Sequence, residues 1–142
     1  MGVTLRNFMT TENVLTISGD ATLTEAARQM CDRNVGAVVV VEAGSIAGIF
    51  TERDLLRAVA GGQRPDESPV AGSMTRDPVT LPPDHAPSEA AEIMSRGKFR
   101  HIPVVEQGRL LGIVSIRDLV KYRIMLHKHD VESMKAYVTR MA

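Results

Sequence analysis

Apolar and polar positions change period several times along the chain, and each change predicts an element. Val14 to Ile17 predicts a short strand. Behind the capping box Thr22-Leu-Thr-Glu25, the apolar positions Leu23, Ala26, Ala27 and Met30 recur at helical spacing. Val35 to Val41 is a β-branched run suited to a strand buried on both faces, and Glu42-Ala-Gly-Ser45 turns it into a second strand, Ile46 to Phe50, as a hairpin. Thr51-Glu-Arg-Asp54 then opens a second helix that ends near Gly61-Gly62. The predicted order is strand, helix, strand, strand, helix.

The same order follows again, because the sequence matches itself at a shift of 64 residues. Between Leu15 and Ala60 there are 15 identities with no gap, among them Glu25-Ala-Ala27 on Glu89-Ala-Ala91, Gly48-Ile49 on Gly112-Ile113 and Arg53-Asp-Leu55 on Arg117-Asp-Leu119. Met9-Thr10 also corresponds to Met74-Thr75 after a one-residue change of offset. A period this long exceeds those of solenoid repeats and indicates a duplicated small domain. The second copy predicts a strand near Val79, a helix from Pro87 in its first turn, strands near Ile102 and Leu110, and a helix from Ser115. The fold class is α+β, divided as repeat one over residues 1–62, a linker over 63–73, repeat two over 74–123 and a helical extension over 124–142. No glycine or proline interrupts Ile116 to Ala142, so one long helix is expected, with Ile124, Val131, Met134, Val138 and Met141 forming a seam broken by His127. The seam either pairs with a partner helix or folds back over its own domain.

Composition changes the picture mainly by exclusion. The chain has 142 residues, 17 basic and 17 acidic side chains, 44% hydrophobic and 4% aromatic residues. Zero formal net charge and few aromatics argue against a general nucleic-acid binder. The longest apolar run, Val35 to Val41, is far short of the roughly 20 residues of a membrane span, and Met1 to Thr10 has no apolar leader core, so a cytoplasmic protein without membrane contact is expected. Cys31 is the single cysteine; it fits a reducing compartment and is expected to be a buried structural thiol. No zinc spacing, dinucleotide fingerprint or phosphate loop occurs, and neither a catalytic residue nor a metal ligand is assigned.

Each hairpin ends in Gly-hydrophobic-hydrophobic-Thr/Ser-x-Arg-Asp: Gly48-Ile-Phe-Thr51-Glu-Arg53-Asp54 and Gly112-Ile-Val-Ser115-Ile-Arg117-Asp118. A hydroxyl with a carboxylate three residues on is what a capping box looks like. In the functional alternative, the helix N-terminus and hydroxyl receive a phosphate, the arginine adds charge, and the aspartate accepts both hydroxyls of a ribose.

The tandem pattern, the two signatures and the string Arg100-His101-Ile-Pro103-Val-Val resemble the CBS domain, named after cystathionine β-synthase, over roughly Val3 to Tyr122. Two such repeats form the pair known as a Bateman module. The resemblance implies a pseudo-twofold pair of β-α-β-β-α repeats that senses an adenine nucleotide in two clefts, each built from both repeats. One cleft would take Thr51, Arg53 and Asp54, facing Met74, Asp77, Val79 and Phe99; the other Ser115, Arg117 and Asp118, facing Met9, Asn13, Leu15 and Val35. Strand backbone near Val39 or Pro103 would read the adenine edge, and Arg100 and His101 match positions that touch phosphate. The implied ligand is AMP, ADP or ATP, or a relative such as NAD or S-adenosylmethionine, with no catalytic cofactor. The implied assembly is a homodimer that acts on a separate regulated protein. Copy one has Gly36-Ala-Val-Val39 where copy two has Arg100-His-Ile-Pro103, so the clefts should differ in charge and shape. The alternative is an interaction module with vestigial clefts, working through its pair surface or its C-terminal helix.

Overall fold

The computed structural model describes residues 2–7, 9–11 and 14–141. Its strands and helices run in the order β1 (Thr16–Ile17), α1 (Leu23–Arg33), β2 (Ala37–Glu42), β3 (Ser45–Thr51), α2 (Glu52–Ala60), β4 (Thr75–Arg76), α3 (Pro87–Gly97), β5 (His101–Glu106), β6 (Arg109–Ser115) and α4 (Ile116–Met141). Both hairpins turn through two successive residues of positive φ, Ala43-Gly44 and Gln107-Gly108, which matches the right-handed twist of the strands they join. Both carry a register shift at the same place, Val40/Val41 and Val104/Val105. The duplication seen in sequence is therefore repeated down to its irregularities.

The copies exchange segments. In the first sheet the order is β1-β2-β3-β4, with β1 parallel to β2 and the other pairs antiparallel. The strand at its far edge, β4, belongs by sequence to copy two. Reciprocally, Thr10 of copy one bridges Ile113 of β6, through hydrogen bonds of 2.9 and 3.0 Å. Two glycines make this possible. A Cβ on Gly48 would lie 2.6 Å from the Thr75 carbonyl oxygen and from Met74 Sδ. A Cβ on Gly112 would overlap the Thr10 carbonyl oxygen and meet Met9 Sδ at 3.4 Å. Each signature glycine is thus the point where the other copy's lead-in crosses a strand at backbone distance.

Two cores follow from this exchange. One gathers Leu23, Ala26 and Met30 of α1, Val38 and Val40 of β2, Phe50 of β3, and Val70 and Met74 from beyond the first repeat's last helix. The other gathers Ala90 and Met94 of α3, Ile102 and Val104 of β5, Val114 of β6, and Leu5 from the N-terminus. Segment 63–73 is stitched to α1: Leu23 N–H donates to Ser68 O at 3.0 Å, Thr24 N–H to Pro65 O at 3.1 Å, and Thr24 Oγ1 to Asp66 at 2.5 Å. It then enters the core through the buried Val70.

Three expectations change. Copy two forms no strand near Val79; a single parallel bridge, Leu81 to Val104, replaces it. The reason is Pro103. In copy one, Val39 N–H donates to Leu15 O at 3.0 Å and starts the β1 ladder, whereas its counterpart Pro103 has no N–H to give. Cys31 is exposed rather than buried. Leu23, Ala26 and Met30 form the inward face of α1, and the next residue after Met30 is turned about 100° away from it. Finally, the seam residues Ile124, Val131 and Met134 of α4 are exposed, so α4 does not fold back over its own domain there. The side chains of Val138 and Met141 lie outside the described residues.

Candidate functional site

Two clefts open between the copies, of about 410 Å³ and about 470 Å³. Both volumes lie within the range of small-ligand sites. Each is headed by one of the duplicated signatures at a helix start. At α2, Thr51 N–H donates to Asp54 Oδ2 at 2.9 Å, the Thr51 hydroxyl bonds the same oxygen at 3.1 Å, and Asp54 N–H donates back to Thr51 Oγ1 at 3.3 Å. At α4, Ser115 N–H donates to Asp118 Oδ2 at 2.9 Å and Asp118 N–H to Ser115 Oγ at 3.2 Å. Both signatures are reciprocal caps, and each cap uses one carboxylate oxygen, Oδ2. The two half-buried carboxylates therefore stand at the cleft walls in a fixed rotamer.

Cleft one is lined by Thr51, Arg53 and Asp54 from copy one and by Asp77, Val79 and Phe99 from copy two. Cleft two is lined by Ser115, Arg117 and Asp118 together with Leu15 and Val35. Asn13 lies outside the described residues. Met74 and Met9 line neither cleft. Met74 is buried in the first core and Met9 packs on the second, each held by the crossing over its glycine. Pro103 and Val39 are buried inside their strands and line neither cleft; the Val39 N–H is already engaged by Leu15.

Arg100 and His101 line both clefts, and so do Gly36 and Glu52. Together these four make a shared wall. Its geometry follows the pseudo-symmetry: Glu52 N–H donates to Gly36 O at 3.1 Å, and its counterpart Ile116 N–H donates to Arg100 O at 2.8 Å. A Cβ on Gly36 would come a tight 3.1 Å from Glu52 Oε1 and into ordinary contact, 3.6 Å, with His101 Cε1, so the glycine lets the Glu52 side chain lie close against the backbone in the shared wall. Burial holds the His101 imidazole below its ordinary pKa of 6.5; Glu52 and Asp118 pull the other way, and Arg100 adds to the lowering. His101 is accordingly neutral at pH 7.

Several lining residues carry no motif signal, among them Glu52, Arg57 and Lys98 in cleft one and Asn34 and Ile116 in cleft two. Comparing the copies position by position could have found Lys98 and Asn34. Both follow a helix end and adopt the left-handed conformation, with φ of 58° and 53°. Among the described residues no cluster of three or more histidine, cysteine, aspartate or glutamate side chains could hold a metal ion, and no helix is long and apolar enough to cross a membrane.

Two pseudosymmetric α+β repeats that exchange edge segments and enclose two clefts define the class of tandem pair modules. The model of the CBS domain matches residues 5–61 and 70–124, and the chain belongs to that family. Among its relatives is the CBS domain-containing protein YhcV of Bacillus subtilis, 39% identical over 116 residues that cover 81% of each chain. A solved structure of a protein with CBS domains from Burkholderia ambifaria superposes with a TM-score of 0.83 at 29% identity, covering 87% of this chain and 95% of that one. The CBS domain pair of protein MJ0100, solved in complex with 5′-methylthioadenosine and S-adenosyl-L-methionine, shares the fold with a TM-score of 0.78 at 24% identity, covering 84% of this chain and 98% of that one.

Proposed function

We propose that the protein is a non-catalytic sensor of adenine nucleotides, with AMP, ADP or ATP as its foremost ligands and NAD or S-adenosylmethionine as relatives that fit the same chemistry. The observation that carries this is the placement of Asp54 and Asp118, one at the wall of each cleft, held rigidly through Oδ2. A carboxylate fixed in this way offers Oδ1 to a ribose diol, and the exposed arginine beside it offers a counter-charge to phosphate. Val79 and Phe99 in cleft one, and Leu15 and Val35 in cleft two, supply apolar surface for a base. The adenosyl compounds held by the MJ0100 pair are ligands of the class proposed here. The sensor works in the cytoplasm as a homodimer and changes the state of a separate protein.

A second reading, an interaction module with vestigial clefts, is favoured by a different observation. Along α4, Ile124 is 51% exposed, Met125 68% and Met134 67%, apolar side chains that a partner would cover. A thermal-shift titration with AMP, ADP, ATP, NAD, S-adenosylmethionine and a 2′-deoxyribose control separates the readings. Ligand at ~100 times its dissociation constant adds about 2.7 kcal/mol to native stability, a shift of several degrees. A shift with ribonucleotides that disappears stepwise in Asp54→Asn and Asp118→Asn supports the sensor. No shift with any of them at millimolar concentration overturns it and leaves the interaction module.

A further inference from the structure

The two clefts share one wall, so what distinguishes them lies on the walls they do not share. Arg53, Arg57 and Lys98 line cleft one alone; Arg117 is the only cation that lines cleft two alone among the described residues. Arg53, Arg57 and Lys98 are exposed, and none of them makes an ion pair with another described residue. The acids private to cleft one are Asp54, whose Oδ2 is engaged by the cap, and Asp77.

Lys98 is placed at a cost. It follows α3 with φ of 58°, the left-handed position that glycine or asparagine usually takes after a helix. A glycine is next door, at position 97, yet it cannot supply that turn: a Cβ there would overlap the ring of Phe99, so Gly97 is needed inside the helix to let Phe99 lie against its end. In copy one the same cap is Asn34, φ 53°, a residue suited to that conformation, and it lines cleft two. The chain therefore holds a lysine in a strained backbone position at the mouth of one cleft and an uncharged amide at the equivalent mouth of the other.

We infer that the clefts are sorted by phosphate number: cleft one takes a nucleoside di- or triphosphate, its phosphates spanning Arg53, Arg57 and Lys98, and cleft two takes an adenosyl ligand bearing at most one phosphate. The inference rests on the nucleotide-sensor reading for the adenosyl part, and on the cation placement alone for the phosphate part.

The test is reciprocal exchange of the cap residues, Lys98→Asn and Asn34→Lys, in the full-length chain. Each residue already occupies the left-handed cap in the other copy, so both variants are expected to fold. Isothermal titration calorimetry with ATP, AMP, adenosine and inorganic tripolyphosphate reads affinity and stoichiometry. In wild type, one tight triphosphate site per chain is expected. Lys98→Asn should weaken ATP and tripolyphosphate by about tenfold, or about 1.4 kcal/mol, while leaving adenosine within about twofold. Asn34→Lys should bring ATP stoichiometry towards two. Nucleotide binding whose affinity is indifferent to phosphate number and to both exchanges overturns the sorting while sparing the sensor. Tripolyphosphate binding that depends on Lys98, with no response to adenosine or AMP, supports the cation site and overturns the adenosyl part. No binding of any of the four probes overturns both.

Discussion

The carboxylates of Asp54 and Asp118 accept from the N–H groups of Thr51 and Ser115, so replacing either one alters a helix cap as well as a cleft. Alanine at 54 or 118 should cost about 1 kcal/mol of stability in addition to any ligand affinity. Asparagine keeps a carbonyl oxygen for the cap and removes the charge, and should leave the unliganded melting temperature within about a degree of wild type; calorimetric melts of both pairs of variants check this. His101 gives a pH signature. Its folded pKa lies below 6.5, so the unfolded chain binds more protons in the window between those values. Stability is full above 6.5 and falls as pH drops through the folded value. The melting temperature should decline more steeply below pH 6.5 in wild type than in His101→Gln. Both signatures, Thr51-x-x-Asp54 and Ser115-x-x-Asp118, were legible in the sequence because they recur at the same offset. That Arg100 and His101 line both clefts was not, since it depends on their packing beside Gly36 and Glu52 of the other copy.

At the scale of elements, the periodic segments were readable because burial demands period: α1, α3 and the two hairpins all stand where the apolar spacing put them. What escaped was decided by partners distant in sequence. The strand expected near Val79 depends on a donor that Pro103 lacks, and Met9 and Met74 look like cleft walls until the crossing over Gly112 and Gly48 is seen. The crossings yield their own prediction. Gly48→Ala and Gly112→Ala force a methyl against a carbonyl of the crossing segment, and each should destabilise by about 1–3 kcal/mol in a denaturant titration. Gly44→Ala, at φ 79° with open space around it, meets backbone strain and no neighbour, and should cost less.

For the molecule as a whole, the exposed residues of α4 and the exposed Leu56 and Val59 of α2 give the surface on which the proposed homodimer would close. Removing residues 127–142 should move the sedimentation profile towards a smaller species at the same concentration; an unchanged profile assigns the contact to the pair surface instead. The exchange of lead-in segments has a further consequence, for how the chain reaches its native state and with whom. Thr10 leaves the ribosome about a hundred residues before its partner Ile113, so this bridge closes only after all of the intervening chain is out. During that interval the Thr10 segment waits unpaired and can bridge the β6 edge of any neighbouring chain that has already been completed that far. A polysome or a concentrated refolding mixture would then yield interlocked dimers with every native bridge intact, distinguishable from the reversible homodimer because dilution alone cannot release them.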